Sequence, residues 1–253
     1  MKMRYVRCLC ALVVCCLAGV LAAPVHAGVV IGSTRVIYPA QDREVTVKLT
    51  NEDVRSPVLV QAWIDDGNEK STPDQLPVPF ILTPPIFRMD PGKGQALRVK
   101  YLNDKSLPTD KESVFYLNVL EVPPKPKAVG GKASNLMQLA FRTRVKLFLR
   151  PKSLKGNVAD AAGQLTWKLV TDGAGPALVA QNPSVYHVSF ESVALWADGK
   201  EIHSDAPQMI APGGTQRYRL KEFQPAAGAK SEVRFKSIDD YGQFLPHVAV
   251  IAS

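Results

Sequence analysis

The feature that most constrains the fold of this chain is a series of short segments in which apolar and polar residues alternate. Residues two apart lie on the same face of an extended chain, so each segment is predicted to form a strand. The strands predicted in the first half are 36–38, 44–50, 58–64, 80–83, 95–101, 113–122 and 136–149. Clusters rich in glycine, proline, asparagine and aspartate separate them and predict turns, at 65–68, 90–94 and 103–110.

The spacing of these strands is typical of an immunoglobulin-like β-sandwich, in which about seven short strands form one domain. Many of the 20 prolines stand at segment ends and oppose long helices. After Arg150 and Pro151 a polar stretch interrupts the pattern. A second series of strands then follows at 164–170, 178–181, 187–197, 216–220 and 232–238. We therefore predict an all-β chain with two domains, 28–150 and 151–253, and a boundary near residues 150–156.

Residues 1–27 have the pattern of a secretory signal peptide. A basic start is followed by an apolar run from Cys8 to Ala23 and by a small-x-small cleavage signal that ends at Ala27. The run is too short for a membrane span, and no second run of about 18 apolar residues follows. A lipoprotein signal is disfavoured because no cysteine lies at the expected cleavage point. We expect a soluble, exported protein that begins at Gly28.

Composition removes several classes of function. All four cysteines lie in the predicted signal, at positions 8, 10, 15 and 16, so the exported chain is expected to lack disulfides, thiol catalysis and cysteine-based zinc sites. The signal holds three cations and no acid, which leaves about +5 of the formal +8 charge on the rest. This charge is spread out and has no aromatic-interleaved basic tract, so nucleic acid is not expected as a partner.

The segment 135–150 is unusual among the predicted strands. Met137, Leu139 and Phe141 stand two apart, as do Val145, Leu147 and Leu149, with arginines between the two triplets. An edge strand that shows apolar side chains and unpaired backbone groups can pair with another chain. The alternative is an interior sandwich strand whose apolar residues are core. Periodicity alone favours that second interpretation.

Several motifs resemble the periplasmic pilus chaperones of the chaperone-usher pathway. In the first domain they are TRVIYP at 34–39, QAWI at 61–64, TPPIFRMDPG at 83–92, LPTDKESVFYLN at 107–118, VPP at 122–124 and KLFLRP at 146–151. NPS at 182–184, PGG at 212–214 and DDYG at 239–242 are similar to second-domain motifs. The resemblance covers nearly all of the chain after residue 27. It implies two immunoglobulin-like β-sandwich domains in a boomerang arrangement.

The resemblance also implies a function in the periplasm. Such chaperones bind pilus subunits that lack their last strand, lend a strand of their own to complete the fold, and deliver the subunit to an outer-membrane usher. Met137, Leu139 and Phe141 match the residues of the donor strand. An exposed apolar edge is also expected to promote self-association of the free protein. The short loop at 125–134 resembles the corresponding loop in the branch of the family that serves rod-type or thicker pili.

Two further sets of residues are implied by the same resemblance. Arg35 and Lys146 match the cations that bind the subunit's C-terminal carboxylate, a charge-assisted interaction. Glu112, Arg150 and Asp240 match an ionic network between the two domains, with Asp239 as the alternative to Asp240.

Other classes of function remain as alternatives. A secreted pilin or adhesin built of tandem sandwich domains would fit the strand pattern. The absence of the cysteines typical of pilus subunits argues against it. A carbohydrate-binding or hydrolytic sandwich would need an aromatic platform or paired acids, which the sequence does not show. His187, His203 and His247 lack metal-ligand spacing, and no serine has the context of a nucleophile elbow. We therefore expect no enzymatic activity, no metal and no cofactor.

Overall fold

The computed structural model describes residues 28–70, 72–73, 78–104, 106–125, 137–173, 175–205, 207–220 and 231–251. The predicted signal peptide, 1–27, lies outside these ranges, as does most of the loop at 125–134. The strands of the first half are β1 Val29–Ile31, β2 Arg35–Pro39, β3 Val45–Asn51, β4 Val58–Asp65, β5 Phe80–Thr83, β6 Ile86–Met89, β7 Gly94–Tyr101, β8 Ser113–Val122 and β9 Phe141–Arg150.

The second half is built in the same way. Two short 3-10 turns, Val158–Asp160 and Ala162–Gln164, precede its first strand. Its strands are β10 Thr166–Asp172, β11 Gly175–Gln181, β12 Ser189–Ala197, β13 Lys200–His203, β14 Thr215–Arg219, β15 Ser231–Ile238 and β16 Phe244–Val250. The prediction of an all-β chain with two β-sandwich domains is confirmed.

Each half has two sheets that pack face to face over its own core. In the first half the sheets have the orders β1-β3-β7-β5 and β2-β9-β8-β4-β6. In the second half they are β10-β11-β14 and β13-β12-β15-β16. The first core includes Tyr38, Leu97 and Leu147, and the second is centred on Trp167 and Phe235. Alternating side chains of facing sheets fill these cores, as the period of two predicted.

The strand bounds differ from the prediction in two respects. β1, β6, β13 and β16 were not predicted, because three are short and β16 carries a proline. β9 begins at Phe141, although the sequence pattern predicted a strand from residue 136. The reason lies in β8, which pairs with β9 up to the contact between Glu121 and Phe141 and is followed by Pro123 and Pro124. Prolines have no backbone N–H to continue the ladder, so the residues before Phe141 lack a described partner strand.

Tyr38 of β2 links the first core to two backbone groups near the surface by hydrogen bonds. Its ring is fully buried. Its hydroxyl donates to the carbonyl oxygen of Asp42 at 3.1 Å and accepts from the backbone N–H of Tyr101 at 3.0 Å. This residue therefore holds β2, which contributes Arg35 to the site described below, against the last residue of β7 in the opposite sheet.

The Tyr38→Phe variant tests the contribution of these two hydrogen bonds to stability. We expect the free energy of unfolding to fall by about 1–3 kcal/mol, because the partly buried N–H of Tyr101 loses its acceptor and the carbonyl oxygen of Asp42 loses its donor. Urea unfolding measures the change. Tyr241→Phe is the matched control, since Tyr241 is almost fully exposed and its hydroxyl has no described partner; its loss should stay below about 0.5 kcal/mol. Equal stability of the two variants would contradict the role of the Tyr38 hydroxyl.

Candidate functional site

Strand β9 is paired over different lengths on its two sides. β8 pairs with it antiparallel from Phe141 to Leu149. On the other side β2 pairs with it in parallel, and that ladder runs from Lys146 to Arg150. Among the described residues, no strand pairs with Phe141–Val145 on the β2 side. We call this stretch the free edge of β9; it leaves backbone groups open to a further strand.

An exposed apolar row leads into the free edge. Met137 is 87% exposed, Leu139 57% and Phe141 62%. By the period of two, they share one face of the chain with Val145, which packs against the core, and with Leu147, which is fully buried in it. The three residues therefore do not belong to the core of the free protein, which excludes the interior-strand interpretation for them but not for Val145 and Leu147. A side-chain contact links this stretch to the residue that follows β8: the amide of Gln138 donates to the carbonyl oxygen of Pro123 at 2.6 Å.

Two cations lie where the free edge ends. Arg35 and Lys146 are opposite each other in the first pair of the parallel ladder. Arg35 Nη1 donates to the carbonyl oxygen of Ile238 at 3.0 Å, and Lys146 Nζ donates to Ser189 Oγ at 3.4 Å. Both contacts cross to the second domain, so this pair of cations lies between the domains.

The two cations have no salt-bridge partner in the described part of the chain. Arg35 is 8% exposed, and its Nε is buried without a hydrogen-bond partner. Neither Arg35 nor Lys146 forms a salt bridge with a described carboxylate. Burial lowers the pKa of Arg35, although Asp240, Asp239 and Glu112 act in the opposite direction. Burial, together with the charge of Arg35, lowers the pKa of Lys146. A bound anion would stabilise both charged forms.

Lys146 is accessible from a groove between the domains. The groove has a volume of about 340 Å³. Its lining combines residues of both domains: Tyr116 and Lys146 from the first, and Phe190, Glu191, Pro207, Gln208 and Met209 from the second. Arg35 lines a second, smaller cavity of about 160 Å³ on the side of β15 and β16.

An ionic network crosses between the domains beside these cations. Arg150 Nε donates to Glu112 Oε1 at 2.9 Å, and its two terminal nitrogens donate to the two carboxylate oxygens of Asp240 at 2.7 and 3.0 Å. Although burial disfavours its charge, the hydrogen bonds and charges of Asp240 and Glu112 raise the pKa of Arg150 above its ordinary value. Asp239, the alternative partner, does not contact Arg150. Its carboxylate accepts from the backbone N–H groups of Tyr241 and Gln243 within the turn.

His187 belongs to the same network, although the sequence did not predict this role for it. Its Nδ1 lies 3.0 Å from Glu112 Oε2, and its backbone N–H donates to the same oxygen at 2.9 Å. Its ring packs against Phe148, with centroids 5.5 Å apart. The sequence showed His187 to be far from other histidines, which argued against a metal but gave no sign of a carboxylate partner 75 residues away.

The described residues show neither a metal site nor a membrane helix. No group of three or more histidine, cysteine or acidic side chains in these ranges could hold a metal ion. Within the same ranges, no helix has the length and apolar character needed to cross a membrane.

Comparison with known proteins matches both halves of the chain to one family. Residues 28–155 match the N-terminal domain of PapD, described as a pili and flagellar-assembly chaperone, and residues 160–249 match the C-terminal domain of the pili assembly chaperone PapD. The chain belongs to the pilus-assembly chaperone family. The resemblance seen in its motifs is therefore confirmed.

Individual relatives are similar to this chain along nearly their whole length. Chaperone protein FimB/FhaD of Bordetella pertussis is 47% identical over 235 residues, which is 92% of this chain and 91% of the relative. The crystal structure of the Escherichia coli chaperone YadV has a TM-score of 0.75 at 39% identity and covers 89% of this chain and 100% of its own. The Salmonella enterica SafB chaperone, in complex with the SafA pilin, has a TM-score of 0.72 at 26% identity, with 91% and 99% covered.

The Arg150→Ala variant tests the interdomain network. The change leaves Glu112 buried and removes its arginine, so we expect a loss of about 3–5 kcal/mol in the free energy of unfolding. Thermal melts measure the loss, and small-angle scattering of the folded fraction reports the angle between the domains.

The matched control for this test is Arg88→Ala. Arg88 pairs with Asp90 at 3.0 Å, but both side chains are mostly exposed, so the loss should be below about 1 kcal/mol. If both variants melt and scatter alike, the network does not set the arrangement of the domains.

Proposed function

We propose that this protein is a periplasmic chaperone that binds pilus subunits by donating β9, together with the residues before it, and then delivers them to an outer-membrane usher. The observation that carries the proposal is the free edge of β9, with an exposed apolar row at one end and two cations without a described salt-bridge partner at the other. In this proposal Met137, Leu139 and Phe141 enter the subunit, and Arg35 and Lys146 bind its terminal carboxylate.

The topology suggests how a subunit strand would lie. β2 runs parallel to β9 and begins at Arg35, directly where the free edge ends. A subunit strand that continues the position of β2 along the free edge, in the same direction, would end at Arg35 and Lys146. Its C-terminal carboxylate would then meet two positive charges in a partly dry site, where charge-assisted hydrogen bonds are strong. That contact would fix the register of pairing, because a shift along the edge removes the carboxylate from the cations.

The exposed row would supply much of the affinity. Full burial of a large apolar side chain is worth about 1.5–3 kcal/mol, and main-chain hydrogen bonds would add specificity for an extended segment. Burial of three such side chains would also cover the subunit's own exposed core. We infer that no nucleotide and no catalytic step is needed, since binding itself completes the fold of the subunit.

The solved complex of SafB with the SafA pilin supports this proposal over a pilin or adhesin. SafB is the chaperone in that complex, and this chain shares the fold of SafB over nearly its full length. The interdomain network of Arg150 would contribute by holding the second domain beside the free edge, so that Ser189 and Ile238 stay next to the two cations.

The direct test is to recover the tagged protein from the periplasm of its native host and to identify bound proteins by mass spectrometry. We expect pilus subunits to copurify. Recovery of a folded protein without any pilus subunit would overturn the proposed function.

The Leu139→Glu variant tests the donor role. Leu139 is exposed in the free protein, so the variant should fold with an unchanged melting temperature. It should lose subunits in the same recovery experiment, because the new carboxylate would be buried unpaired in the subunit. Val54→Glu is the matched control, since Val54 is 70% exposed in a turn away from β9, and it should retain subunits. Normal recovery of subunits with Leu139→Glu would remove this residue from the donor row.

A pH titration tests the carboxylate site. A bound carboxylate favours the charged form of Lys146, so affinity is greatest below the lowered pKa of Lys146 and falls as pH rises through it. We therefore expect subunit capture by the wild type to decline at an alkaline pH still below 10.5, the ordinary value. Lys146→Arg should keep its capture over that range, because arginine remains charged. Titration of the subunit affects both proteins equally, so identical pH profiles would argue against contact between Lys146 and the carboxylate.

A further inference from the structure

The outer face of β9 carries two arginines beside the free edge. Arg142 and Arg144 alternate with Phe141, Thr143 and Val145. Both therefore lie within the free edge, whose backbone groups a subunit strand would use. Unrestrained, such long side chains could lie over the edge on either side of the strand. Both instead extend in the opposite direction, across β8 toward β4, where they meet Asp65 at the end of that strand.

Arg144 is held by a planar pair of hydrogen bonds. Its Nε donates to Asp65 Oδ2 at 3.0 Å, and its Nη2 donates to Asp65 Oδ1 at 2.6 Å. The guanidinium lies 3.6 Å from the ring centroid of Tyr116 in β8, and its Nη1 donates to Glu69 Oε1 at 3.1 Å. Two-point hydrogen bonding combined with stacking on a ring is geometry that lysine cannot reproduce.

Arg142 is held through a neighbouring amide. Its Nε donates to Asn118 Oδ1 at 2.8 Å, and the amide nitrogen of Asn118 donates to Asp65 Oδ2 at 2.7 Å. The guanidinium lies 5.0 Å from the ring centroid of Trp63, and its Nη1 donates to the carbonyl oxygen of Glu69 at 2.8 Å. Asp65 therefore fixes both arginines: Arg144 by two direct hydrogen bonds, and Arg142 through Asn118 and by an ion pair of 3.6 Å between Arg142 Nη2 and Asp65 Oδ2.

Asp65 is fully buried, which is costly for a carboxylate unless its partners compensate. It also accepts from the backbone N–H of Gly67 at 2.7 Å. Burial opposes ionisation, but the hydrogen bonds from Arg144, Asn118 and Gly67 outweigh it and lower the pKa of Asp65. Asp65 and its direct ligands all belong to one sheet and the turn after β4, so the cluster does not join the domains. A role in the arrangement of the domains does not explain it.

We propose that Asp65 is a positioning residue for strand donation: it holds Arg142 and Arg144 over β8 and β4 and so keeps the free edge of β9 open. The inference rests on the proposed function. Because the arginines are already ordered in the free protein, an incoming strand does not have to displace or immobilise them, which lowers the entropic cost of pairing. Asp65 itself does not contact the subunit.

A pair of double variants tests the proposal without touching the buried acid. Arg142→Lys/Arg144→Lys keeps both charges but loses the planar fork and the ring stacking, so the cations become free to lie over the edge. Arg142→Gln/Arg144→Gln removes the charges and shortens the side chains. It leaves the buried Asp65 with the hydrogen bonds of Asn118 and Gly67 only, so we expect a lower free energy of unfolding, and subunit capture is compared at a temperature where thermal melts show the variant to be folded. Subunits recovered from the periplasm of the native host are quantified for each, relative to the amount of chaperone. We expect the lysine variant to retain roughly tenfold less subunit than wild type, and the glutamine variant to retain wild-type amounts.

The Asp65→Asn variant supplies the second arm. If it folds, it should lose subunit as the lysine variant does, and adding Arg142→Gln and Arg144→Gln should restore capture. A structural role of Asp65 would predict no such rescue. If Asp65→Asn does not fold, the comparison of the two double variants decides the matter, with thermal melts to show that both are folded.

The outcomes separate this proposal from the one on which it rests. A wild-type protein that recovers no subunit overturns the proposed function and this inference together. A wild type that recovers subunit while the lysine and glutamine variants recover equal amounts overturns the positioning role alone. Loss of capture in Asp65→Asn without rescue by the glutamines would overturn it as well.

Discussion

The partial pairing of β2 with β9 is the constraint on which the rest of the structure depends. β2 begins at Arg35, opposite Lys146, and follows β9 to its end at Arg150. Because the ladder begins halfway along β9, one half of that strand is an ordinary interior strand and the other half has an open side. The same starting point places two cations at the junction. An exposed edge is normally a liability, and under the proposed function its charged end would give the pairing of a subunit strand a defined register.

The relation between the two domains depends on a second constraint, an ionic network. Arg150 is the last residue of β9, and Asp240 belongs to the turn between β15 and β16. The pair therefore ties the end of β9 to the second domain. Such a network adds little net stability over apolar packing, but removing one member is costly. Its geometric effect is to keep Ser189 and Ile238 within reach of Lys146 and Arg35.

The sequence was sufficient for the fold class and for the residues that alternate along β9, because both follow from a period of two. It was not sufficient for the start of β9, which depends on where Pro123 ends the neighbouring strand. Nor could it decide that Met137 and Leu139 are exposed, because alternation does not show which side of a strand has a partner. Contacts between distant residues, such as that of His187 with Glu112, leave no local pattern in the sequence at all.

The outward-facing cations of β9 and its last residue differ in how their charge is compensated. Arg142 and Arg144 are held with Asp65, and Arg150 binds both Glu112 and Asp240. Lys146 lies among them, yet within the described ranges it has a hydroxyl partner and no carboxylate. Burial of a charge without a counter-ion raises the free energy of the unliganded protein. That cost at Lys146 favours binding of an anion there, whereas the other three positions, already compensated, give an anion little advantage.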